Sequence, residues 1–100
     1  MEKRTPHYDL AAIKARIVED GAAAFTKTAL DGGRILGLTL ADMLAVMAAL
    51  SRRDFYKSMT ALGDHRIWQD VYHALTPVEK VAYIKVTLRE GAVVIQFKEK

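Results

Sequence analysis

The stretch VAYIKVTLREGAVVIQF, residues 81–97, decides the fold class of this chain. On both sides of Glu90-Gly91, apolar residues recur at every second position, as in strands that bury one face. Glu90-Gly91 itself is typical of a tight hairpin turn. A second hairpin is predicted upstream, because residues 54–62 and 66–73 are rich in aromatic and β-branched residues and are separated by Gly63-Asp64. The second half of the chain therefore predicts an antiparallel sheet.

The first half of the chain predicts helices. A helix begins after Asp9, whose carboxylate can cap it, and ends at Gly21, which tolerates a positive φ. A second helix begins at Thr39, which forms a capping box with Asp42, and extends to Ser51. Both segments carry apolar residues at helical spacing: Leu10, Ile13 and Ile17 in the first, and Leu40, Met43, Leu44, Met47 and Leu50 in the second.

The region between these helices is less clearly patterned. Residues 28–36 favour either a short helix or an irregular turn ending near Gly37, because glycine at 32 and 33 each costs about 1 kcal/mol in a helix. Residues 22–26 suit either a short strand or part of the turn. Helices followed by strands predict an α+β fold, in which a mostly antiparallel β-sheet packs against helices from the N-terminal half.

Length and composition limit the classes of protein to which this chain can belong. With 100 residues, of which 51% are apolar, the chain fits a single domain over residues 1–100. No apolar run approaches the roughly 20 residues that cross a membrane, so we expect no membrane partner. Cysteine is absent, which suits a reducing cytoplasm, taken here as the default location. The net charge of +3 mildly favours contact with phosphates.

Several catalytic templates are missing. The segment Asp31-Gly32-Gly33-Arg34 lacks the spacing and the Lys-Ser/Thr pair of a phosphate-binding loop. The histidines His7, His65 and His73 lie on different segments, without the spacing of a zinc site. We therefore expect no metal and no cofactor.

A group of polar residues that could carry chemistry remains on the predicted strands. Side chains of these types bind phosphates and bases and move protons. An ordinary solvent-facing sheet surface is the competing interpretation. The set comprises Tyr56, Lys57, His65, Arg66, Gln69, Tyr72, His73, Tyr83, Lys85, Gln96 and Lys98.

Strand alternation makes two of these residues unusual. It places Lys57 on the same face as Phe55 and Met59, and it places Gln69 on the same face as Ile67 and Val71. A lysine and a glutamine on apolar faces suit a catalytic site. A lysine that protects an edge strand from aggregation is an equally physical explanation.

Longer motifs resemble one family along the whole chain. They are MEKRTPH at residues 1–7, DFYKSMT at 54–60, DH at 64–65, IWQDVY at 67–72, YIK at 83–85 and FKEK at 97–100. Together they resemble the motility quorum-sensing regulator (MqsR) toxins. Identities of six or seven residues are far more specific than any short pattern above.

The resemblance implies a RelE-like toxin fold, with a twisted antiparallel sheet backed by helices. It also implies a ribosome-independent, sequence-selective messenger RNA endonuclease, the toxin of a type II toxin–antitoxin system. The implied partners are mRNA and a cognate antitoxin protein that has a zinc-binding domain and a DNA-binding domain.

Carried over residue by residue, the resemblance implies a catalytic group and a set of RNA contacts. The catalytic group is Lys57, Gln69 and Tyr83; the RNA-binding residues are His7, Tyr56, Met59, His65 and Lys98. A consistent metal-independent mechanism is attack of the ribose 2′-hydroxyl on the adjacent phosphate.

One position departs from the family pattern. An arginine commonly follows the tyrosine of IWQDVY, whereas this chain has His73. Because an unperturbed histidine is mostly uncharged at neutral pH, a phosphate contact is less expected there.

Two other functions are compatible with the same residues. A non-catalytic nucleic-acid-binding or protein-interaction module would use the same basic and aromatic face, and cleavage of a defined RNA would separate it from an enzyme. An inactive toxin with an intact fold is less well supported, because all three implied catalytic residues are present.

Overall fold

A computed structural model describes all residues, 1–100, and contains one five-stranded sheet. The strands lie in the order of the sequence, and every neighbouring pair is antiparallel. They are β1 (Glu2–Lys3), β2 (Phe55–Ala61), β3 (Asp64–Leu75), β4 (Val81–Arg89) and β5 (Ala92–Glu99). The predicted hairpins are confirmed, whereas the short edge strand β1 was not predicted.

Three helices precede the long strands: α1 (Leu10–Asp20), α2 (Lys27–Leu36) and α3 (Leu40–Ala49). The predicted caps are confirmed, since Asp9 accepts a hydrogen bond from the first turn of α1 and Thr39 and Asp42 form a reciprocal capping box. No single helix is long and apolar enough to cross a membrane. The α2 and α3 pair meets the length and composition criteria only when taken together, across a bend of 97°.

Helix α2 is regular despite its two glycines. A Cβ at Gly32 would collide with the Phe97 carbonyl oxygen of β5, and one at Gly33 would collide with the Met43 side chain. The glycines therefore let α2 lie close to both the sheet and α3, which offsets their poor helix propensity. Residues 22–26 form mostly a turn: Gly21–Ala24 is a 3₁₀ segment, and Phe25 makes a single bridge to Ile95.

The core lies between the helices and one face of the sheet. Its fully buried side chains include Met43 and Met47 from α3 and Tyr72, Ile84 and Ile95 from the sheet. The predicted α+β fold, with helices of the N-terminal half against an antiparallel sheet, is confirmed. The opposite sheet face is not covered by a helix, and we call it the open face.

A β-bulge corrects the predicted alternation in β2. Phe55 lies opposite Tyr72 and Lys57 lies opposite Val71, so Tyr56 is an extra residue in the strand. Phe55 therefore packs against the core, and Lys57 lies on the open face. The prediction that these two residues share a face was wrong, because a bulge reverses the parity of every residue before it.

The N-terminal segment is anchored to the sheet by a buried carboxylate. Asp70 is only 1% exposed, and it accepts hydrogen bonds from the backbone N–H groups of His7 and Tyr8, at 2.9 to 3.1 Å. The Tyr8 hydroxyl in turn donates to the Trp68 carbonyl, at 2.9 Å. These bonds fix the chain just after β1 and thereby hold that strand at the edge of β2.

Candidate active site

The three predicted catalytic side chains share the open face on three neighbouring strands. Lys57 of β2 lies opposite Val71 of β3, and Gln69 and His73 flank Val71 two residues away on the same face. Tyr83 of β4 lies opposite His73. Val71 is fully buried although it belongs to the open face, so the longer side chains around it cover it. The implied catalytic residues therefore surround one buried apolar side chain, that of Val71.

Lys57 is held by a carboxylate from the N-terminal strand. Its Nζ donates a hydrogen bond to Glu2 Oε1 at 2.6 Å, and the lysine side chain is 19% exposed. This hydrogen bond is the main reason why the pKa of Lys57 is raised, and it also lowers the pKa of Glu2. Lys57 is therefore a fixed cation at neutral pH, suited to binding a phosphate.

Aromatic rings form a row beside Lys57. The Tyr56 ring of β2 stacks on the His73 ring of β3, with centroids 4.5 Å apart. On the other side of β3, the Tyr83 ring of β4 has its centroid 5.5 Å from that of His73. The bulge allows this arrangement, because it turns Tyr56 toward the open face next to Lys57. Tyr56 is 43% exposed, so part of its surface is free to stack with a base.

His73 is enclosed by this row. Its Nε2 is buried and has no hydrogen-bond partner. Burial, with a smaller contribution from the positive charge of Lys100, lowers the pKa of His73. The imidazole is therefore neutral at pH 7, and the expectation that this position makes no strong phosphate contact is strengthened.

Cations surround the aromatic row. Lys98 Nζ lies 5.5 Å from the centre of the Tyr83 ring, and Lys85 Nζ lies 6.0 Å from it. The Arg4 guanidinium lies 5.8 Å from the centre of the Tyr56 ring. With Lys57, these groups place four cations near the aromatic row, an arrangement that favours binding of a polyanion.

The structure brings some predicted RNA-binding residues to this site and not others. Tyr56, Met59 and Lys98 lie on the open face with the catalytic group. His7 stacks on Trp68. Trp68 and the buried Asp70 lie on the same face of β3, opposite the open face, so His7 lies on the other side of the sheet. His65 is exposed near the β2–β3 turn, four residues before Gln69 in the sequence.

Two members of the polar set lie outside the site. Tyr72 is buried in the core, where burial raises its pKa to about 12. Arg66 forms a local ion pair with Asp64. The site itself is a broad surface, since none of the molecule's surface cavities is lined by Lys57, Gln69 or Tyr83. Such a surface suits an extended polymer better than a small molecule.

Comparison with known proteins assigns the family. Residues 5–99 match the family model described as "Motility quorum-sensing regulator, toxin of MqsA". The chain is also 44% identical, over the full length of both chains, to the mRNA interferase toxin MqsR of Escherichia coli (strain K12). The chain belongs to the MqsR toxin family. Its family description implies an antitoxin, MqsA, as partner.

Two residues of this MqsR-family site were not among the predicted site residues. Glu2 was missed because nothing in the sequence pairs residues 2 and 57. The one available signal was that Glu2 belongs to MEKRTPH, a motif that carries the family resemblance. His73 was named in the polar set and as a departure from the family pattern but was given no role, and its enclosure by Tyr56 and Tyr83 depends on strand register. No group of three or more His, Cys, Asp or Glu side chains is arranged to hold a metal ion.

Proposed function

We propose that this MqsR-family protein is the toxin of a toxin–antitoxin pair and acts as a ribosome-independent, sequence-selective mRNA endoribonuclease. The named activity of its 44%-identical relative, an mRNA interferase toxin, supports this function. The observation that carries it is the convergence of Lys57, Gln69 and Tyr83 on one open, positively charged sheet face. A binding module would need the positive charge and the exposed aromatic ring, but it would not need this catalytic group.

The proposed reaction is attack of the ribose 2′-hydroxyl on the adjacent phosphate. Lys57 stabilises the negative charge that develops on the phosphoryl oxygens, because its ammonium keeps two N–H donors beyond the one given to Glu2. Gln69 orients the phosphate or ribose by hydrogen bonds, and Tyr83 takes part in proton transfer. The products are a 5′-hydroxyl end and a 2′,3′-cyclic phosphate.

The RNA chain crosses the open face beside these groups. Tyr56 stacks with a base, Met59 packs beside it, and Lys98 contacts a phosphate near Tyr83. His65 lies near the β2–β3 turn and His7 on the other side of the sheet, so they contact only flanking nucleotides that extend beyond the open face. No metal or cofactor takes part in the proposed step, since the nucleophile is already present in RNA.

The proposed partner is a cognate antitoxin protein with a zinc-binding domain and a DNA-binding domain. Because the proposed substrate is messenger RNA, we place the activity in the cytoplasm. Expression of the chain alone is then expected to stop growth, and co-expression of the antitoxin to restore it. Harmless accumulation of the intact chain alone would favour a non-catalytic module.

The test uses a defined RNA and a matched pair of lysine variants. We expect wild-type protein to cut the RNA in excess EDTA, leaving a 5′-hydroxyl, and to leave a substrate with one 2′-deoxy nucleotide at the cleavage position intact. Lys57→Ala should lower the rate by roughly 10²–10³-fold, as loss of one electrostatic stabiliser does. Lys27→Ala removes an exposed lysine on α2 and should not affect cleavage. A 5′-phosphate product, cutting of the deoxy substrate, or equal activity of the two variants would contradict the proposed reaction.

A further inference from the structure

A carboxylate lies beside the lysine that binds the phosphate in the proposed reaction. Glu2 is opposite Met59 in the β1–β2 ladder, so its side chain belongs to the open face. Its Oε1 accepts the 2.6 Å hydrogen bond from Lys57, yet the side chain is 54% exposed. The carboxylate is therefore both fixed in position and accessible to a substrate.

The proposed reaction needs a group that accepts the proton of the 2′-hydroxyl. Lys57 is unsuited to this task, because its hydrogen bond to Glu2 raises its pKa and keeps it protonated. Tyr83 has the opposite task in the proposed reaction, which is to donate a proton to the leaving oxygen. The base must therefore come from a group that is unprotonated under the same conditions.

His73 meets that chemical requirement but is enclosed. Its Nε2 is buried, and Tyr56 stacks on the ring from β2 while Tyr83 lies against it from β4. Cations lie near it: Lys100 beyond β5, whose charge lowers the pKa of His73, and Lys57, Lys85 and Lys98 on the same sheet face, with Glu2 bonded to Lys57. These cations disfavour the positive charge that the imidazole would gain by taking a proton.

We propose that Glu2 is the general base of the reaction, an inference that rests on the proposed function. The Glu2 carboxylate takes the proton from the 2′-hydroxyl as the 2′-oxygen forms its bond to phosphorus. The bond from phosphorus to the 5′-oxygen breaks, and the leaving oxygen takes a proton from Tyr83. Glu2 then returns its proton to solvent, and Tyr83 regains one.

The geometry of Lys57 supports this role. One ammonium N–H binds Glu2, and the remaining two are free to bind phosphoryl oxygens. In the proposed complex the same nitrogen holds the scissile phosphate and the carboxylate, which brings Glu2 near the 2′-hydroxyl of the nucleotide on the 5′ side of that phosphate. Lys57 also lowers the pKa of Glu2, so the carboxylate is ionised at neutral pH, while the same shift makes it a weaker base.

The experiment compares Glu2→Gln with Glu19→Gln, which makes the same charge change on the exposed surface of α1. Glutamine retains the size of the side chain and a carbonyl acceptor for Lys57. We expect Glu2→Gln to lower the single-turnover cleavage rate by about 10²–10⁴-fold. Its affinity for an RNA carrying a 2′-methoxy group at the cleavage position should stay within about twofold. Glu19→Gln should match the wild type.

The pH profile separates catalysis from positioning. In the wild type, the rate should fall at acid pH as Glu2 becomes protonated, and this acid limb should be absent from the residual activity of Glu2→Gln. A wild-type cleavage rate in Glu2→Gln would overturn the proposal. Faster cleavage together with tighter RNA binding would also overturn it, because the carboxylate would then compete with the phosphate for Lys57. Retention of the acid limb in Glu2→Gln and its loss in His73→Gln would assign the base to His73 instead. If the wild-type protein leaves a 5′-phosphate, the proposed reaction itself is wrong, whatever the cleavage rate of Glu2→Gln.

Discussion

Replacement of Asp70 by asparagine should loosen the N-terminal segment and lower stability. The carboxylate is 1% exposed. It accepts hydrogen bonds from the backbone N–H groups of His7 and Tyr8, which fix the chain after β1. Asparagine has nearly the same shape, but it has one acceptor oxygen and presents an NH₂ group to the other donor. The substitution therefore removes one anchoring bond and weakens the second.

The expected loss follows from these bonds. Hydrogen bonds to a charged acceptor contribute about 1.5–3 kcal/mol each, so the two donors together account for roughly 3–6 kcal/mol. Asparagine recovers about 1 kcal/mol through one neutral bond, and it avoids part of the cost of burying a charge. A net destabilisation of about 2 kcal/mol remains, which lowers Tm by roughly 8–16 °C in a domain of this size.

Thermal unfolding and hydrogen exchange measure the two consequences separately. The amides of His7 and Tyr8 should exchange faster in Asp70→Asn while amides in the middle of β3 and β4 stay protected. Asp31→Asn, which changes an exposed carboxylate on α2, should shift Tm by no more than a few degrees. If Tm were unchanged and the His7 and Tyr8 amides remained protected, Asp70 would not be the anchor that the structure describes.

Three further outcomes are expected from substitutions elsewhere. Tyr83→Phe retains the ring beside His73 and Lys98 but removes the hydroxyl, so RNA cleavage should fall about 10²-fold or more with little change in affinity for a 2′-methoxy RNA. Thr39→Ala removes the cap of α3 and should cost about 1 kcal/mol in the free energy of unfolding, measured by denaturant titration, with no change in cleavage per folded molecule. Burial lowers the pKa of His73, so the folded protein binds that proton more weakly than the unfolded chain. Wild-type stability should therefore fall as pH drops below about 6.5 and through the lowered pKa, whereas His73→Gln should lose less stability over the same range.

The sequence was sufficient to predict those parts of the fold that depend on local patterns. Period-two alternation and two turns with glycine in the left-handed region, Gly63 and Gly91, specify the two hairpins. The capping residues Asp9 and Thr39 specify where two of the helices begin. In each of these cases the residues that determine the element lie within a few positions of one another.

Features built from distant residues could not be predicted in this way. The bond from Lys57 to Glu2 joins positions 55 residues apart, and the anchor at Asp70 joins positions 62 and 63 apart. The enclosure of His73 also requires the register of three strands to be known. For this reason the sequence placed Lys57, Gln69 and Tyr83 in one candidate site only through resemblance to a family.

The bulge at Tyr56 connects the fold to the proposed chemistry. In a regular strand, Phe55 and Lys57 would share a face, and either the phenylalanine would leave the core or the lysine would enter it. The extra residue lets Phe55 pack against Tyr72, with ring centroids 5.6 Å apart, while Tyr56 and Lys57 both reach the open face. A base-stacking ring and a phosphate-binding cation thus become immediate neighbours, with Lys57 Nζ 5.3 Å from the centre of the Tyr56 ring. Since a nucleotide presents its base and its phosphate only a few ångströms apart, this local break in strand alternation matches the spacing of the proposed substrate.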